Sequence, residues 1–261
     1  MQTQPKLAEP SVLTAGQAAD FHRDGFVVVR EMFGNREMRA ITGWIEEVQH
    51  YPEVPGRYMM YFEQSLIEPG KRVLQRVENV YPYHRLLAEL FDSDRLRGGA
   101  GQLFGAPAVL FKEKINFKMP GGDGFRPHQD QQAGWWNYAD LFITVLVSID
   151  QASPENGCIE LAAGQHKKGL IGGKWTPLTD DDLAGVELRP CPTRPGDVVF
   201  FDSYTPHGSG PNLSNKPRRV LYLTYNRASD GDHRIRYYAD KRKSFPPDVE
   251  RDPNKEYTFR V

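Results

Sequence analysis

The second half of the chain alternates short apolar runs with turn signals, and this pattern limits the fold more than any other feature of the sequence. Between positions 108 and 226, runs rich in Val, Ile, Leu and Phe are separated by clusters that contain Gly and Pro. Regularly spaced turn residues between short strands are typical of β-sandwiches and barrels. The strands that we predict are 109–119, 141–149, 158–161, 186–189, 197–201 and 220–226.

The first half of the chain is predicted to be mainly helical. Thr14 and Gln17 have the spacing of a capping box, so they predict a helix that continues through Phe21 and ends before Gly25. A strand of consecutive apolar residues follows. That strand covers 26–29 and is expected to be buried. The remaining segments that we assign are an irregular aromatic loop or lid at 52–70, short helices at 84–91 and 93–104, and a charged, solvated tail after Asp230.

Composition excludes several classes of protein. The 261 residues include 33 Lys and Arg against 34 Asp and Glu, a balance that argues against a generally basic nucleic-acid-binding protein. No run approaches the roughly 18 apolar residues of a membrane span, and the start, MQTQPKLAEP, lacks the apolar segment of a secretory leader. Two cysteines, Cys158 and Cys191, suit a reducing compartment. We therefore expect a cytoplasmic protein with a small-molecule partner and with neither a nucleic-acid nor a membrane partner; the oligomeric state is left open.

Two of the seven histidines stand out because of their surroundings. His128 and Asp130 form a His-x-Asp pair, and side chains two residues apart on a strand point to the same face. His207 lies 79 positions further on, far enough for several strands to intervene. Two imidazoles and one carboxylate with open positions are the ligand set of non-haem Fe(II) oxygenases. The sequence thus predicts a metal site built from these three residues.

Arg218 follows His207 by 11 positions and leads into an apolar strand. A guanidinium binds a carboxylate through two parallel hydrogen bonds, so Arg218 is a candidate for holding a dicarboxylic cosubstrate. Ser209 could add a hydroxyl to the same carboxylate. The neighbouring Arg219 is expected on the opposite, solvent-exposed face.

Several motifs resemble the phytanoyl-CoA dioxygenase family of Fe(II)/2-oxoglutarate oxygenases. They are GFRPHQD (124–130), SPENGCIELAAGQH (153–166) and RPGDVVFFDSYTPHGSGPNLSNKPRR (194–219), and the opening TAGQAADFHRDGFVVVREMF (14–33) resembles that family's first helix and strand. The likeness covers roughly 14 to 226. It implies a mainly β fold with flanking helices and a double-stranded β-helix (jelly-roll, cupin-like) core. The regions of the expected single domain are a flexible tail at 1–12, a helical and lid region at 13–107, the core at 108–226 and an extension at 227–261.

The resemblance also implies roles for individual residues. His128, Asp130 and His207 match the iron ligands, Arg218 matches the 2-oxoglutarate arginine, and Ser209 its helper. The strand before the His-x-Asp pair carries polar residues at alternate positions, and Thr144 is a weaker candidate of the same kind for binding the cosubstrate. The alternating residues are Lys112, Lys114, Asn116 and Lys118, of which Asn116 is the favoured ligand. Residues expected to contact the substrate are Trp135, Gln131, Arg126 and Tyr58.

The activity implied is oxidation of an unactivated C–H bond of a small polar metabolite by O₂ and 2-oxoglutarate, with release of succinate and CO₂. An aminophosphonate or a secondary metabolite would suit as the substrate. Because Asp130 supplies a carboxylate ligand, hydroxylation or another oxidation is favoured over halogenation. The alternative is a non-catalytic, cupin-like module that binds a metal and a ligand. A hydrolase with Asp130, His128 and Ser203 or Ser209 is disfavoured by the lack of a G-x-S-x-G motif, and a base-repair enzyme by the lack of a basic arm.

Overall fold

The computed structural model describes residues 11–257 and arranges this part of the chain as eleven strands and five α-helices, with shorter helical turns between them. The strands are β1 (Phe26–Val29), β2 (Met59–Gln64), β3 (Arg72–Glu78), β4 (Ala108–Asn116), β5 (Phe125–His128), β6 (Ile143–Ser148), β7 (Ile159–Leu161), β8 (Arg189–Pro190), β9 (Val198–Asp202), β10 (His207–Ser209) and β11 (Val220–Arg227).

The strands form two antiparallel sheets that face each other. The larger sheet has the order β1-β9-β6-β11-β4-β3-β2 and the smaller one β5-β10-β7-β8. Leu146 and Val199 of the larger sheet belong to one buried cluster with Ile159 and Leu161 of the smaller sheet. Apolar contacts between two inner faces are the core of a sandwich. This architecture confirms the predicted jelly roll.

Four helices cover the outer face of the larger sheet, and a fifth follows the last strand. Ile41 and Ile45 share a buried cluster with Val145 and Phe200 of the sheet, and burying each such side chain stabilises the fold by about 1.5–3 kcal/mol. The helices are α1 (Ala15–Asp24), α2 (Asn35–Gln49), α3 (Arg85–Phe91), α4 (Gly99–Phe104) and α5 (Arg234–Ser244), with a π-helical turn over Asp94–Gly98 and 3-10 turns over Asp130–Ala133, Trp135–Asn137, Pro154–Asn156, Gln165–Lys168, Ala228–Asp230 and Asp248–Glu250.

The first helix is the clearest agreement between sequence and structure. The Thr14 side chain accepts a hydrogen bond from the Gln17 backbone at 3.2 Å, and the Gln17 side chain accepts one from the Thr14 backbone at 2.8 Å. Gly25 ends the helix at a φ of 84°, in the left-handed region that glycine adopts without strain. The predicted capping box and helix end are therefore confirmed.

The predicted lid at 52–70 is wrong. Its middle is β2, which pairs with β3 and forms the edge of the larger sheet. Met59, Met60 and Tyr61 are buried in succession, because α2 and α3 cover one face of this edge and α5 covers the other. A run of aromatic and apolar residues without alternation thus marks a strand that is covered on both faces.

Two further predictions need correction. The strand predicted at 186–189 shrinks to a two-residue pairing, β8. The tail after Asp230 contains α5, whose Tyr237 and Tyr238 are buried against β4 instead of being solvated. Of the predicted loose tail at 1–12, all but Ser11 and Val12 lie outside the described residues. Within 11–257, no helix has the length and apolarity needed to cross a bilayer.

Candidate active site

His128, Asp130 and His207 meet between the two sheets. His128 ends β5 and His207 begins β10, and the two are register partners in the smaller sheet. Potential ligand atoms from all three side chains lie within 4.8 Å of one another, and all three residues are buried. Asp130 begins a 3-10 turn after β5, so a strand end followed by a turn, and not the predicted alternation along one strand, brings the carboxylate to the histidines.

Hydrogen bonds fix the orientation of all three side chains. Nδ1 of His128 lies 2.7 Å from the Arg126 carbonyl oxygen, and Nδ1 of His207 lies 2.9 Å from that of Thr205. A ring nitrogen that donates to a carbonyl leaves the Nε2 lone pair free for a metal. The Thr144 hydroxyl donates to Oδ2 of Asp130 at 2.9 Å, while Oδ1 faces Nε2 of His207 at 3.9 Å.

The protonation states also suit a divalent cation. Burial, helped by the neighbouring His207, lowers the pKa of His128 to about 3, and burial lowers the pKa of His207 as well. Burial alone would raise the pKa of Asp130, but the adjacent histidines and lysines outweigh it and hold that pKa below its usual range. Neutral imidazoles and an ionised carboxylate are the forms that bind metals. The donor set and its geometry therefore fit ferrous iron.

A cavity of about 570 Å³ opens from the triad toward the surface. One wall is the inner face of the larger sheet, where cross-strand partners point into the same space: Arg76 is opposite Asn116, and Glu78 is opposite Lys114. The opposite rim is formed by aromatic residues and by α5. The residues that line this cavity or its inner end include Arg76, Glu78, Lys112, Lys114, Asn116, Phe125, Trp135, Tyr138, Thr144, Ser209, Tyr222, Thr224, Tyr237, Asp240 and Lys241, together with the triad.

Lys112 and Lys114 place two ammonium groups beside the triad. In the part of the chain that the structure describes, neither makes a hydrogen bond or an ion pair, and Lys112 lies 5.0 Å from the ring centre of Trp135 and 5.2 Å from that of Tyr237. Burial lowers the pKa of Lys112, and burial together with Lys112 lowers the pKa of Lys114 to about 8. Buried cations without a partner are costly. The part of the cavity that Lys112 and Lys114 line therefore favours an anionic ligand.

A pair of basic side chains, Arg218 and Lys118, meets at the Gly157 carbonyl next to Ser209, at the inner end of the site, although neither side chain lines the cavity itself. Nη2 of Arg218 donates to the Gly157 carbonyl oxygen at 2.7 Å, and Nζ of Lys118 donates to Oγ of Ser209 at 2.8 Å. No carboxylate among residues 11–257 forms an ion pair with either group, and Nε of Arg218 and Oδ1 of Asn116 are buried without a hydrogen-bond partner. Burial and the nearby Arg218 lower the pKa of Lys118 to about 6. Arg218 and Lys118 therefore offer hydrogen-bond donors that a carboxylate could accept.

Gly157 and the turn before it hold this inner end in place. Its φ of 70° is left-handed, and a Cβ there would lie 2.1 Å from the Gly210 carbonyl oxygen. The glycine in the SPENG turn therefore lets the backbone after β10 approach closely. That approach places the Gly157 carbonyl against Arg218.

The other predicted site residues are placed as follows. Trp135, Asn116, Thr144 and Ser209 line the site, although the Thr144 hydroxyl is bonded to Asp130. Three predicted substrate contacts lie elsewhere: Gln131 is buried and donates to the Asp140 carbonyl oxygen at 2.7 Å, Arg126 is exposed on β5, and Tyr58 packs between Tyr51 and Tyr83. The structure therefore gives these three no contact with the cavity.

Arg219 also differs from expectation. It is buried, not exposed, because its guanidinium pairs with Asp150 at 2.8 Å and with Glu46 at 3.3 Å. The sequence analysis missed Tyr222, Tyr237, Asp240 and Lys241. Tyr222 could have been found from the alternation that follows Arg218, whereas no local pattern marks the residues of α5.

The chain is similar to several known proteins. The sequence profile of the phytanoyl-CoA dioxygenase (PhyH) family matches residues 21–220. A 2-aminoethylphosphonate dioxygenase from an uncultured bacterium (HF130_AEPn_1) is 39% identical over 95% of both chains. The methylphosphonate hydroxylase of Gimesia maris is 37% identical over 90% of this chain and 89% of its own.

Solved structures show the same fold. EctD from S. alaskensis, crystallised with 2-oxoglutarate and 5-hydroxyectoine, superimposes with a TM-score of 0.72 at 22% identity and covers 86% of this chain and 80% of its own. The carbocyclase SnoK of nogalamycin biosynthesis gives a TM-score of 0.70 at 21% identity and covers 85% of this chain and 87% of its own.

A jelly roll that carries a buried His-Asp-His triad is the architecture of an iron- and 2-oxoglutarate-dependent dioxygenase. The chain belongs to the phytanoyl-CoA dioxygenase family. It is therefore an enzyme, and the non-catalytic module is set aside. Fe(II), 2-oxoglutarate and O₂ are its cofactor and cosubstrates, as the resemblance implies.

Proposed function

We propose that this enzyme hydroxylates a small alkylphosphonate, such as 2-aminoethylphosphonate, at the carbon bonded to phosphorus. The observation that carries the proposal is the pair Lys112 and Lys114, which face the cavity beside the triad and form no ion pair or hydrogen bond among the described residues. A phosphonate offers up to two negative charges and three oxygen acceptors, which suits two ammonium groups.

The position of the lysines favours the carbon next to phosphorus. Lys112 and Lys114 occupy the same sheet face as Thr144, which contacts Asp130. If these lysines bind the phosphonate group, the carbon bonded to phosphorus lies nearer to the triad than the more distant carbons of the substrate. Two relatives that cover most of this chain are named for acting on phosphonates, and methylphosphonate has no other carbon.

We assign the cosubstrate to the inner cationic end. Arg218 would hold the distal carboxylate, with Ser209 as a hydroxyl donor and Asn116 near the end that faces the metal. Bound iron supplies the O₂ chemistry, which consumes 2-oxoglutarate and oxidises a C–H bond. His128, Asp130 and His207 would hold the metal, Thr144 would orient the Asp130 carboxylate, and Phe125, Phe201 and Trp135 would keep water from the site.

Substitution of the lysines tests the proposal. Lys112→Met and Lys114→Met are expected to raise the KM for 2-aminoethylphosphonate by about tenfold or more each, since each removes one charge-assisted contact. Lys243→Met, at an exposed position of α5, is the control and should leave KM unchanged. Phosphonate turnover with an unaltered KM in both cavity variants would overturn the assignment.

We also propose a cytoplasmic location and a single catalytic domain. Both cysteines are free, as suits a reducing compartment. Helices α1 and α2 share a core cluster with the larger sheet, and α5 packs against β4, so the flanking regions and the jelly roll share their buried surfaces.

A further inference from the structure

Glu78 is a buried carboxylate in the cavity wall, with an exposure of 1%. Both of its oxygens accept hydrogen bonds from Nζ of Lys241, each at 2.7 Å, and Oε1 also accepts one from Nε of Arg76 at 2.8 Å. Lys241 belongs to α5 and Arg76 to β3, so one side chain ties the last helix to the strand next to the edge of the larger sheet. Hydrogen bonds between charged groups of this kind are the strong ones in proteins.

The same carboxylate acts on Lys112. Burial lowers the pKa of Lys112, and the negative charge of Glu78 is the largest opposing influence. The ammonium group also lies over the ring of Tyr237, four residues before Lys241 on α5. Glu78 therefore reaches Lys112 by two routes: directly through its charge, and through the helix whose Tyr237 packs beside that lysine.

The helix itself lies outside the part of the chain that the family profile matches, residues 21–220. Tyr237, Asp240 and Lys241 nevertheless line the cavity. The wall opposite the sheet is thus supplied by a helix that follows the part of the chain matched by the family profile, and Glu78 is its anchor inside the cavity.

We propose that Glu78 is a positioning residue for substrate: it fixes α5 and holds Lys112 where that lysine binds the anionic group of the phosphonate. The inference rests on the proposed phosphonate activity. Glu78 itself is saturated by Lys241 and Arg76 and needs no contact with the substrate.

The sign of the effect separates this role from a general electrostatic one. If Glu78 acted only through its charge on the cavity, Glu78→Gln would make the cavity more positive, and anion binding would tighten. If Glu78 positions Lys112 and α5, the same substitution lets the cations Lys112, Lys241 and Arg76 repel one another. Lys112 is then displaced, and anion binding weakens. The KM for the phosphonate therefore moves in opposite directions under the two explanations.

Glu113 provides a matched control. It lies on β4, is fully buried and also pairs with a basic residue of α5, with Arg234 at 3.1 Å. Its side chain does not line the cavity. Glu113→Gln therefore loosens the same helix without removing the carboxylate beside Lys112.

The experiment measures kcat and KM for 2-aminoethylphosphonate, and the 2-oxoglutarate dissociation constant by calorimetry, on the iron-loaded enzyme. Glu78→Gln is expected to raise the phosphonate KM about tenfold or more, with kcat and 2-oxoglutarate affinity within about twofold of wild type. Glu113→Gln should change KM by about twofold or less. The double variant Glu78→Gln/Lys241→Met, which restores the local charge balance, should keep the raised KM.

The opposite outcomes are equally defined. A KM that is unchanged or lowered in Glu78→Gln, or raised equally in Glu113→Gln, overturns the proposal. If circular dichroism shows that Glu78→Gln does not fold, Glu78→Asp takes its place. A smaller rise in the phosphonate KM is then expected, and an unchanged KM would contradict the proposal. If wild type converts no phosphonate, the proposed function itself fails, and this inference fails with it; an active wild type with an unaffected Glu78→Gln refutes only the inference.

Discussion

His128 and His207 lie directly opposite each other on the antiparallel strands β5 and β10, and their ring centres are 4.3 Å apart. Strand pairing thus brings together two imidazoles that are 79 positions apart in the chain. Each ring is held by its Nδ1 near a backbone carbonyl, which directs Nε2 toward Asp130 in the case of His207. Strand pairing and these hydrogen bonds therefore orient the two imidazoles toward one metal site.

Removal of either imidazole is predicted to abolish metal binding while the fold survives. His128→Ala and His207→Ala each leave two protein ligands, too few to hold ferrous iron tightly. Anaerobic calorimetry with Fe(II) checks this prediction, with circular dichroism to confirm folding. His50→Ala, at an exposed position, should bind iron like wild type; full iron affinity in either site variant would remove that histidine from the metal site.

Thr144 is predicted to tune the metal without binding it. Its hydroxyl is 2.9 Å from Oδ2 of Asp130 and 3.0 Å from Oγ1 of Thr224. Thr144→Val keeps the shape and removes the donor, so iron affinity should fall by about 10–100-fold, as is usual for residues that orient a ligand. Thr224→Val loses only the outer link and should have a smaller effect in the same titration. Equal effects of the two substitutions would argue against this arrangement.

Arg218 and Arg219 are adjacent, but their substitution by alanine is predicted to affect different properties of the protein. Arg218→Ala should weaken 2-oxoglutarate binding by at least about tenfold without loss of iron, because a charge-assisted pair is removed. Arg219→Ala breaks the pairs with Asp150 and Glu46, so it should lower the free energy of unfolding and leave 2-oxoglutarate affinity unchanged. Calorimetry with 2-oxoglutarate and urea unfolding separate the two. An unchanged 2-oxoglutarate affinity in Arg218→Ala would refute the cosubstrate assignment.

The metal-free protein is predicted to lose stability as the pH falls below about 6.5. Unfolded histidine titrates near that value, whereas burial lowers the pKa of folded His128 to about 3 and lowers that of His207 too. The unfolded chain therefore binds protons that the folded protein does not, and each histidine contributes up to about 1.4 kcal/mol of lost stability per pH unit. This stabilisation is complete above the unfolded pKa and is lost toward the folded one.

Urea unfolding of the metal-free protein at pH 7 and pH 5 checks the pH prediction. His128→Asn should reduce the slope of stability against pH, and His50→Ala should retain it. Identical slopes in wild type and His128→Asn would contradict the buried, neutral state of His128.

Much of the site was accessible from sequence because its residues follow local rules. The capping box of Thr14, the His-x-Asp pair and the alternation of Lys112, Lys114 and Asn116 depend on spacing alone. Alternation predicted that these three side chains and Lys118 share one face. The first three line the cavity wall, whereas Lys118 lies after the end of β4 and does not line it.

The parts that could not be predicted depend on contacts between distant segments. β2 and β3 lack alternation because helices cover one face and α5 the other, so they resembled an irregular lid. The charges of α5 suggested solvent exposure, but Lys241 is paired with a carboxylate 163 positions earlier. Nothing in the sequence near Lys241 indicates that partner.

The most direct test of the central claim is a count of products from one reaction. The Fe(II)-loaded enzyme is incubated with 2-oxoglutarate, O₂ and 2-aminoethylphosphonate, and the succinate and hydroxylated phosphonate are quantified. The account predicts equal amounts of the two products, and neither from His128→Ala. Iron-loaded enzyme that releases no succinate with any small alkylphosphonate, or releases succinate while every phosphonate is recovered intact, would contradict it.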